Sequence, residues 1–258
     1  MAGHRGIVVR VISWNLFHGR DLPVEVDYKH SLRAEFATLL ASFEWDVALL
    51  QEAPPRWFRE LASAAEAHGR LVKTSRNQLG FLRGWIGDRW PDLIKSGDGG
   101  SNQVLVRRPW AIADTRHLTL AYLPERRRMM WLRLQHPGHA NLCVANLHAT
   151  AHNPERAARE LERAARTARE WSGDHPLILG GDFNSRPAVE PWVFERLKGD
   201  GFSGPTGAKV IDHLLARGAS VLERPRQLPA ERRDVSAGGA QRVRLSDHAP
   251  VVASFEVG

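Results

Sequence analysis

Short apolar blocks recur along the whole chain. Eight have the length and the β-branched or leucine-rich make-up of strands: 7–13 IVVRVIS, 46–50 DVALL, 103–107 QVLVR, 129–135 MMWLRLQ, 141–147 NLCVANL, 176–179 PLIL, 210–215 VIDHLL and 250–257 PVVASFEV. Helical periodicity interleaves with them. In 31–43, Leu32, Phe36, Leu39, Leu40 and Phe43 fall on one face. The spacing predicts a long helix over 153–171, with Asn153 as N-cap, Pro154 at its first position and Ala157, Leu161, Ala164, Ala165, Ala168 and Trp171 along one side. Further helices are expected from Pro55 to about His68 and from Pro191 to Leu197, the latter stopped near Gly199. Three segments read as long loops: 84–101, 121–128 and 223–244. Mixed strands and helices with no linker-like stretch predict one α/β domain over residues 1–258.

Several apolar blocks end in residues that a core would reject. VISWN ends in Asn15, VALLQE in Gln51 and Glu52, and CVANLH carries Asn146 and His148. LILGGDFN carries Asp182 and Asn184, VIDH carries Asp212 and His213, and RLSDHAP sets Asp247 and His248 ahead of the last strand. Residues i and i+2 of a strand share a face, so an extended chain pairs Asn146 with His148 and Asp182 with Asn184. Taken singly, each fits a turn or a cap. Six such sites of matching chemistry exceed what turns require. Carboxylates, amides and imidazoles on stiff strand ends suit phosphoester hydrolysis, because carboxylate and carboxamide oxygens are the hard ligands Mg²⁺ prefers. A water nucleophile also needs a base, and the developing charge needs hydrogen-bond donors. No HExxH, cysteine cluster or GxSxG occurs, and the Gly-rich SGDGGSN of 96–102 lacks the Lys-Ser/Thr ending of a P-loop.

The ordered series SWN, LQE, NLH, GGDFNSRP, IDH, SDH resembles the endonuclease/exonuclease/phosphatase superfamily, the group of DNase I and exonuclease III, from about residue 10 to 257. The resemblance implies a four-layer α/β/β/α sandwich, two mixed β-sheets packed face to face with outer helices. It implies Glu52 as principal Mg²⁺ ligand (Mn²⁺ as substitute), with Asn15 and Asp247 beside it. Asp182 would orient or deprotonate the attacking water, and Asn184 would hydrogen-bond the phosphate. His248, oriented by Asp212, would contact the scissile phosphate, and His148 would occupy the second catalytic position with Asn146 in support. The chain departs from the exonuclease III branch in having LFHG after SWN and His148 where abasic-site enzymes carry Tyr. IDH in place of an IDY-like form leaves His213 open between ligand contact and core.

Composition bears on the substrate. The net charge is +7 and the pI about 10.3, which favours polyanion partners, nucleic acid first, although 31 of 36 basic residues being Arg also fits genome bias. Segment 223–244 runs into Asp247-His248 and carries Arg224, Arg226, Arg232, Arg233, Arg242 and Arg244, with Arg242 and Arg244 as candidate substrate contacts. Arg126–Arg128 read as a lead into the strand at Met129. The expectation is a Mg²⁺-dependent phosphodiesterase acting on DNA or RNA. The alternatives are a phosphatase or phospholipid phosphodiesterase, for which Trp85, Ile86 and Trp90 would form an apolar lip, and a non-catalytic nucleic-acid-binding relative; the same three residues equally fit stacking on bases or packing as core. The single Cys143 excludes an internal disulfide and suits a reducing compartment. With no signal-like segment and no apolar run of membrane-spanning length, the chain is expected to be cytoplasmic, without stable membrane association.

Overall fold

The computed structural model describes residues 6–22, 31–74, 99–123, 125–237 and 241–258. Strands β1 (Ile7–Asn15), β3 (Val47–Ala53), β4 (Ala67–Lys73), β5 (Ser101–Arg107), β11 (Ser220–Gln227) and β14 (Val251–Val257) form a six-stranded sheet in the order β11-β14-β1-β3-β5-β4. Strands β6 (Ala111–Ala121), β7 (Arg127–Gln135), β8 (Leu142–His148), β9 (Leu177–Asp182) and β10 (Asp212–Arg217) form a second, in the order β10-β9-β8-β7-β6. Each contains one parallel pair, β1 with β3 and β8 with β9, so both are mixed. A small third sheet joins β12 (Asp234–Ala237), β13 (Gln241–Leu245) and β2 (Asp21–Leu22).

Strand alternation makes the layers. Val9, Val11, Val47, Leu49, Val104 and Val106 of the first sheet meet Leu132, Val144, Ile178 and Leu214 of the second in one buried cluster. The opposite face of the first sheet, with Ile12, Trp14, Ala48 and Leu50, packs on α1 (Arg33–Ser42) and α2 (Phe58–Ala64). The outer face of the second, with Cys143, Ala145, Leu177 and Leu179, packs on α3 (Pro154–Ser172) and α4 (Pro191–Gly199). This is the expected four-layer sandwich. α3 begins as the sequence predicts, with the Asn153 side chain accepting from the Arg156 N–H at 3.0 Å. Its buried alanines let the helix lie close on the sheet.

Toward one end the inner faces change from aliphatic to polar. β1 runs Val11, Ser13, Asn15; β3 runs Leu49, Gln51; β8 runs Val144, Asn146, His148; and β9 runs Ile178, Gly180, Asp182. A buried amide network bridges the sheets there. The Gln51 amide donates to Asn146 Oδ1 at 2.8 Å, and the Asn146 amide donates to the Leu50 and Gln103 carbonyls at 2.8 and 2.9 Å. Gly180 lets the sheets approach, since a Cβ there would lie 2.7 Å from Leu49 Cδ1 and 2.5 Å from Leu214 Cδ2. Gly181, at φ 136°, sits against the Leu147 carbonyl, where a Cβ would clash at 1.9 Å.

Three expectations change. The helix from Pro55 ends at Ala64, and His68 lies in β4, where residues 67–73 pair with β5. Segment 223–244 is largely strand: β11 gains its order from pairing with β14 rather than from an apolar pattern of its own, and nearly all of it is exposed. Segment 121–128 is shorter than a loop reading requires, because β7 begins at Arg127 and β6 ends at Ala121. Residues 84–98, with Trp85, Ile86 and Trp90, lie outside the described residues.

His213, the neighbour of Asp212 on β10, points to the opposite, outer face of the sheet. It is fully buried between Phe183 and Phe194, with ring centroids 5.3 and 5.1 Å away, and its Nδ1 accepts from the Thr206 N–H at 3.2 Å. It is a core residue, not a ligand contact, because adjacent strand residues face opposite ways. Burial pushes its pKa down from 6.5 to about 4.

Two predictions follow from this packing. Replacing Asn146 by Leu removes its bonds to two buried carbonyls and one of the bonds of the Gln51 amide, which keeps Leu49 and Ser13, and a loss of about 3 kcal/mol is expected in urea unfolding. A loss below about 1 kcal/mol would show that the bridge contributes little. For His213 the folded ring stays neutral while the unfolded ring binds a proton near pH 6.5, so its contribution is complete above pH 6.5 and declines as pH falls toward about 4. From pH 7.5 to 5 the wild type should lose about 2 kcal/mol that His213→Gln does not lose; parallel unfolding curves would refute this.

Candidate active site

The polar ends of β1, β3, β8, β9 and β10, with the turn before β14, converge on one cleft. Asp182 is its buried centre. Its Oδ2 accepts from the Asn15 amide at 3.0 Å, and its Oδ1 accepts from the Asn184 backbone N–H, also at 3.0 Å. Asn15 is held in that orientation because its own Oδ1 accepts the Phe17 N–H at 2.9 Å. Asn184 does not continue the strand. It turns at φ 47°, and its side-chain amide donates to the Ala149 carbonyl at 3.1 Å, so it stands beside Asp182 by way of a turn rather than by extended i,i+2 spacing.

Opposite Asp182, His248 Nδ1 bonds the Asp212 carboxylate at 2.9 and 3.1 Å, while its Nε2 lies 3.9 Å from Asp182 Oδ2 and 3.8 Å from Asp247 Oδ1. The turn that carries it is pinned by Ser246, fully buried at φ 62°. Ser246 Oγ donates to the Asn15 carbonyl at 2.7 Å and accepts the His248 N–H at 3.0 Å. Trp14 Nε1 donates to the His248 carbonyl at 3.0 Å.

A second arm lies across from this one. Glu52 turns into the cleft at φ 48°, where β3 breaks register with β5 between Leu50 and Ala53. Its Oε2 is 3.2 Å from His18 Nε2 and its Oε1 is 3.7 Å from His148 Nε2, which in turn lies 3.5 Å from Asp182 Oδ2. Arg127 Nη1 sits 2.9 Å from Nδ1 and 3.1 Å from Nε2 of His148, nearly equidistant, which places it over the imidazole face.

The surroundings separate the titratable groups. Burial raises Asp182, Asp212 raises it further, and the pull of His248, Asn15 and Asn184 leaves its pKa at about 7. Burial opposes charge on His248, but the hydrogen bond to Asp212 and the carboxylates of Asp212, Asp182 and Asp247 outweigh it and raise the ring to about 10. His148 goes the other way: burial, then Arg127, His248 and His18, hold it well below the usual histidine range. His18 is lowered chiefly by burial, against the attraction of Glu52.

One set of donors, Asp182, Asp212 and His248, brings its atoms within 4.8 Å of one another, close enough to surround a cation. In that cluster the Asp212 carboxylate is already engaged by His248 Nδ1 at 2.9 and 3.1 Å, and Asp182 by the Asn15 amide and the Asn184 N–H. Glu52 and Asp247 are the more open carboxylates, with side chains 20% and 39% exposed, and they fit a hard cation better.

Other sequence candidates lie elsewhere. Asn146 is fully buried with its amide committed to the inter-sheet bridge, so it braces the strand behind His148 and does not face the cleft. Arg244 grips Asp234 across β12 and β13 at 2.8 and 3.2 Å, because their register sets them opposite. Arg242 is exposed on the same strand, Arg233 is buried against the Ser246 carbonyl, and Arg232 covers the Phe43 ring. His18, Arg127 and Ser246 are site features that the sequence reading did not single out. For His18 and Ser246 the missing signal is a left-handed backbone conformation; for Arg127 it is a strand that starts two residues earlier than the apolar run.

Solved structures share this fold across nearly the whole chain. An endonuclease/exonuclease/phosphatase family protein from Bacteroides thetaiotaomicron is 15% identical with a TM-score of 0.70, over 98% of this chain and 99% of that one. The mannosyl-6-phosphatase of the same organism is 15% identical with a TM-score of 0.69, over 96% and 99%. The human Nocturnin catalytic domain, with bound sulfate, is 17% identical with a TM-score of 0.66, over 97% and 95%. No curated protein sequence matches the chain. Residues 12–248 match the model of the Endonuclease/Exonuclease/phosphatase family, a span that takes in every cleft residue from Asn15 to His248. The chain therefore belongs to the endonuclease/exonuclease/phosphatase family of phosphoester hydrolases.

Proposed function

We propose that this chain, folded as one domain, is a cytoplasmic Mg²⁺-dependent phosphodiesterase that hydrolyses nucleic acid by direct attack of water. The observation that carries the reading is the buried Asp182, hydrogen-bonded on both oxygens and facing the Asp212–His248 pair across less than 4.8 Å. A carboxyl group with a pKa of about 7 is strong enough as a base to take a proton from water and is still partly ionised at neutral pH. The water oxygen bonds to phosphorus, its proton passes to Asp182, and the ester oxygen leaves with the bonding pair. His248, charged and oriented by Asp212, donates Nε2–H to a phosphate oxygen as negative charge builds there. Asn184 fixes Asp182 through its backbone and reaches the phosphate with its side chain, and His148 stands on the leaving-group side.

Glu52 would be the principal metal ligand, with Asp247 and the second lone pair of Asn15 Oδ1 beside it. When bound, the cation would polarise the phosphoryl oxygens. The charge of +7 supports a polyanionic substrate, and Arg224, Arg226 and Arg242, exposed on the strands leading to Asp247-His248, would contact its backbone. The lone buried Cys143 supports a reducing compartment. No helix among the described residues is long and apolar enough to cross a membrane. The likeness to a mannosyl-6-phosphatase supports a second reading, a phosphatase for small phosphomonoesters.

Hydrolysis of a generic phosphodiester is expected to require Mg²⁺ or Mn²⁺ and to stop with EDTA. Asp182→Asn and His248→Ala should each lower kcat by about 10²–10⁴-fold, and full activity in both would sink the mechanism. A panel of plasmid, single-stranded DNA, RNA, phospholipid and sugar phosphates assigns the substrate: turnover of the sugar phosphates or the phospholipid alone would overturn the nuclease reading.

A further inference from the structure

Arg127 carries a charge the proposed chemistry does not use. Its side chain is only 9% exposed, at the start of β7, and its Nη1 reaches to 2.9 Å from His148 Nδ1 at the end of β8. The guanidinium lies over the His148 ring, and that ring is within 3.7 Å of Glu52 and 3.5 Å of Asp182. Arg127 is therefore one side chain away from both central carboxylates. The carboxylate it pairs with among the described residues is Glu125, whose Oε2 lies 2.9 Å from Arg127 Nη2. Glu125 is 69% exposed, on the turn between β6 and β7.

The pair is asymmetric. A buried guanidinium needs an anion, because an uncompensated charge in that setting is costly. An exposed carboxylate is well solvated without its partner, and exposed ion pairs are weak. A second anion entering the cleft can therefore replace Glu125 at small cost. The planar fork of arginine matches phosphate oxygens as well as it matches a carboxylate. The cleft otherwise holds Glu52, Asp182, Asp212 and Asp247, which repel an entering phosphate. A guanidinium freed at its wall offsets that repulsion.

We propose that Arg127 binds an oxygen of the substrate phosphate and that Glu125 occupies its fork in the free protein, as a built-in competitor that substrate displaces. The proposal rests on the phosphoesterase reading. It assigns the turn between β6 and β7 a part in setting affinity: Glu125 raises KM and suppresses binding of free phosphate.

The test is competitive inhibition by inorganic phosphate during diester hydrolysis with Mg²⁺, together with calorimetric binding of phosphate to the intact chain. Glu125→Gln, at an exposed position, should tighten phosphate about 2- to 5-fold. Arg127→Gln should weaken it about tenfold or more, and Arg127→Lys should fall between. In the Arg127→Gln background, Glu125→Gln should have no effect, because nothing remains to compete for. Unchanged or weaker binding in Glu125→Gln would overturn the proposal. So would equal tightening with and without Arg127, which would reduce Glu125 to a general repulsive charge. A wild type that hydrolyses no phosphoester and binds no phosphate would overturn the underlying reading itself, a result distinct from either.

Discussion

The structure depends on how the interior between two sheets is brought to an end. Valines and leucines fill it over most of its length, and then the inner faces of β1, β3, β8 and β9 turn polar within one or two residues. Such an end is unstable unless every amide finds a partner. The Gln51–Asn146 bridge and its bonds to the Leu50 and Gln103 carbonyls meet most of that requirement across the gap between sheets, while Gln51 Oε1 and Gln103 Oε1 stay buried without a partner. They also fix the spacing at which Asn15 of one sheet reaches Asp182 of the other. The cleft is the continuation of this seam: the same alternation that stacks the core carries it outward into carboxylates and imidazoles.

Within the cleft, the environment gives chemically similar groups different properties. His248 is embedded among carboxylates and stays charged; His148 is buried beside Arg127 and stays neutral. Asp182, buried near a second carboxylate, becomes a better base, whereas Asp212 is spent on orienting His248. Groups whose properties are pushed apart in this way can serve as donor and acceptor in one reaction at one pH. Arg127 and Glu125 extend the same logic to the wall of the cleft, where a buried charge is paired with a dispensable one.

Much of this was legible in the sequence because strands impose a period of two. The placement of Asn146 with His148, and the contrast between Asp212 and His213, follow from that period; the same rule read one residue further sends His213 into the outer core. The motif series located the cleft because its members sit where apolar runs stop. What the sequence concealed falls where local backbone departs from regular geometry or where pairing overrides composition. Glu52 would face the outer layer but for its left-handed turn, and Asn184 leaves the strand altogether. Ser246, in a left-handed turn, ties His248 to β1. β11 and β4 carry no apolar alternation strong enough to reveal them, being held by neighbours rather than by burial of their own side chains. Arg244 looked like a free cation until register set it opposite Asp234.

In the proposed division of labour, Glu52 holds the cation and the Asp182–Asp212–His248 cluster handles protons. Anomalous diffraction from crystals grown with Mn²⁺ tests it most directly. A peak against the Glu52 carboxylate is expected, with the Asp212–His248 hydrogen bond intact. A peak enclosed by Asp182, Asp212 and His248, with Glu52 unengaged, would contradict it.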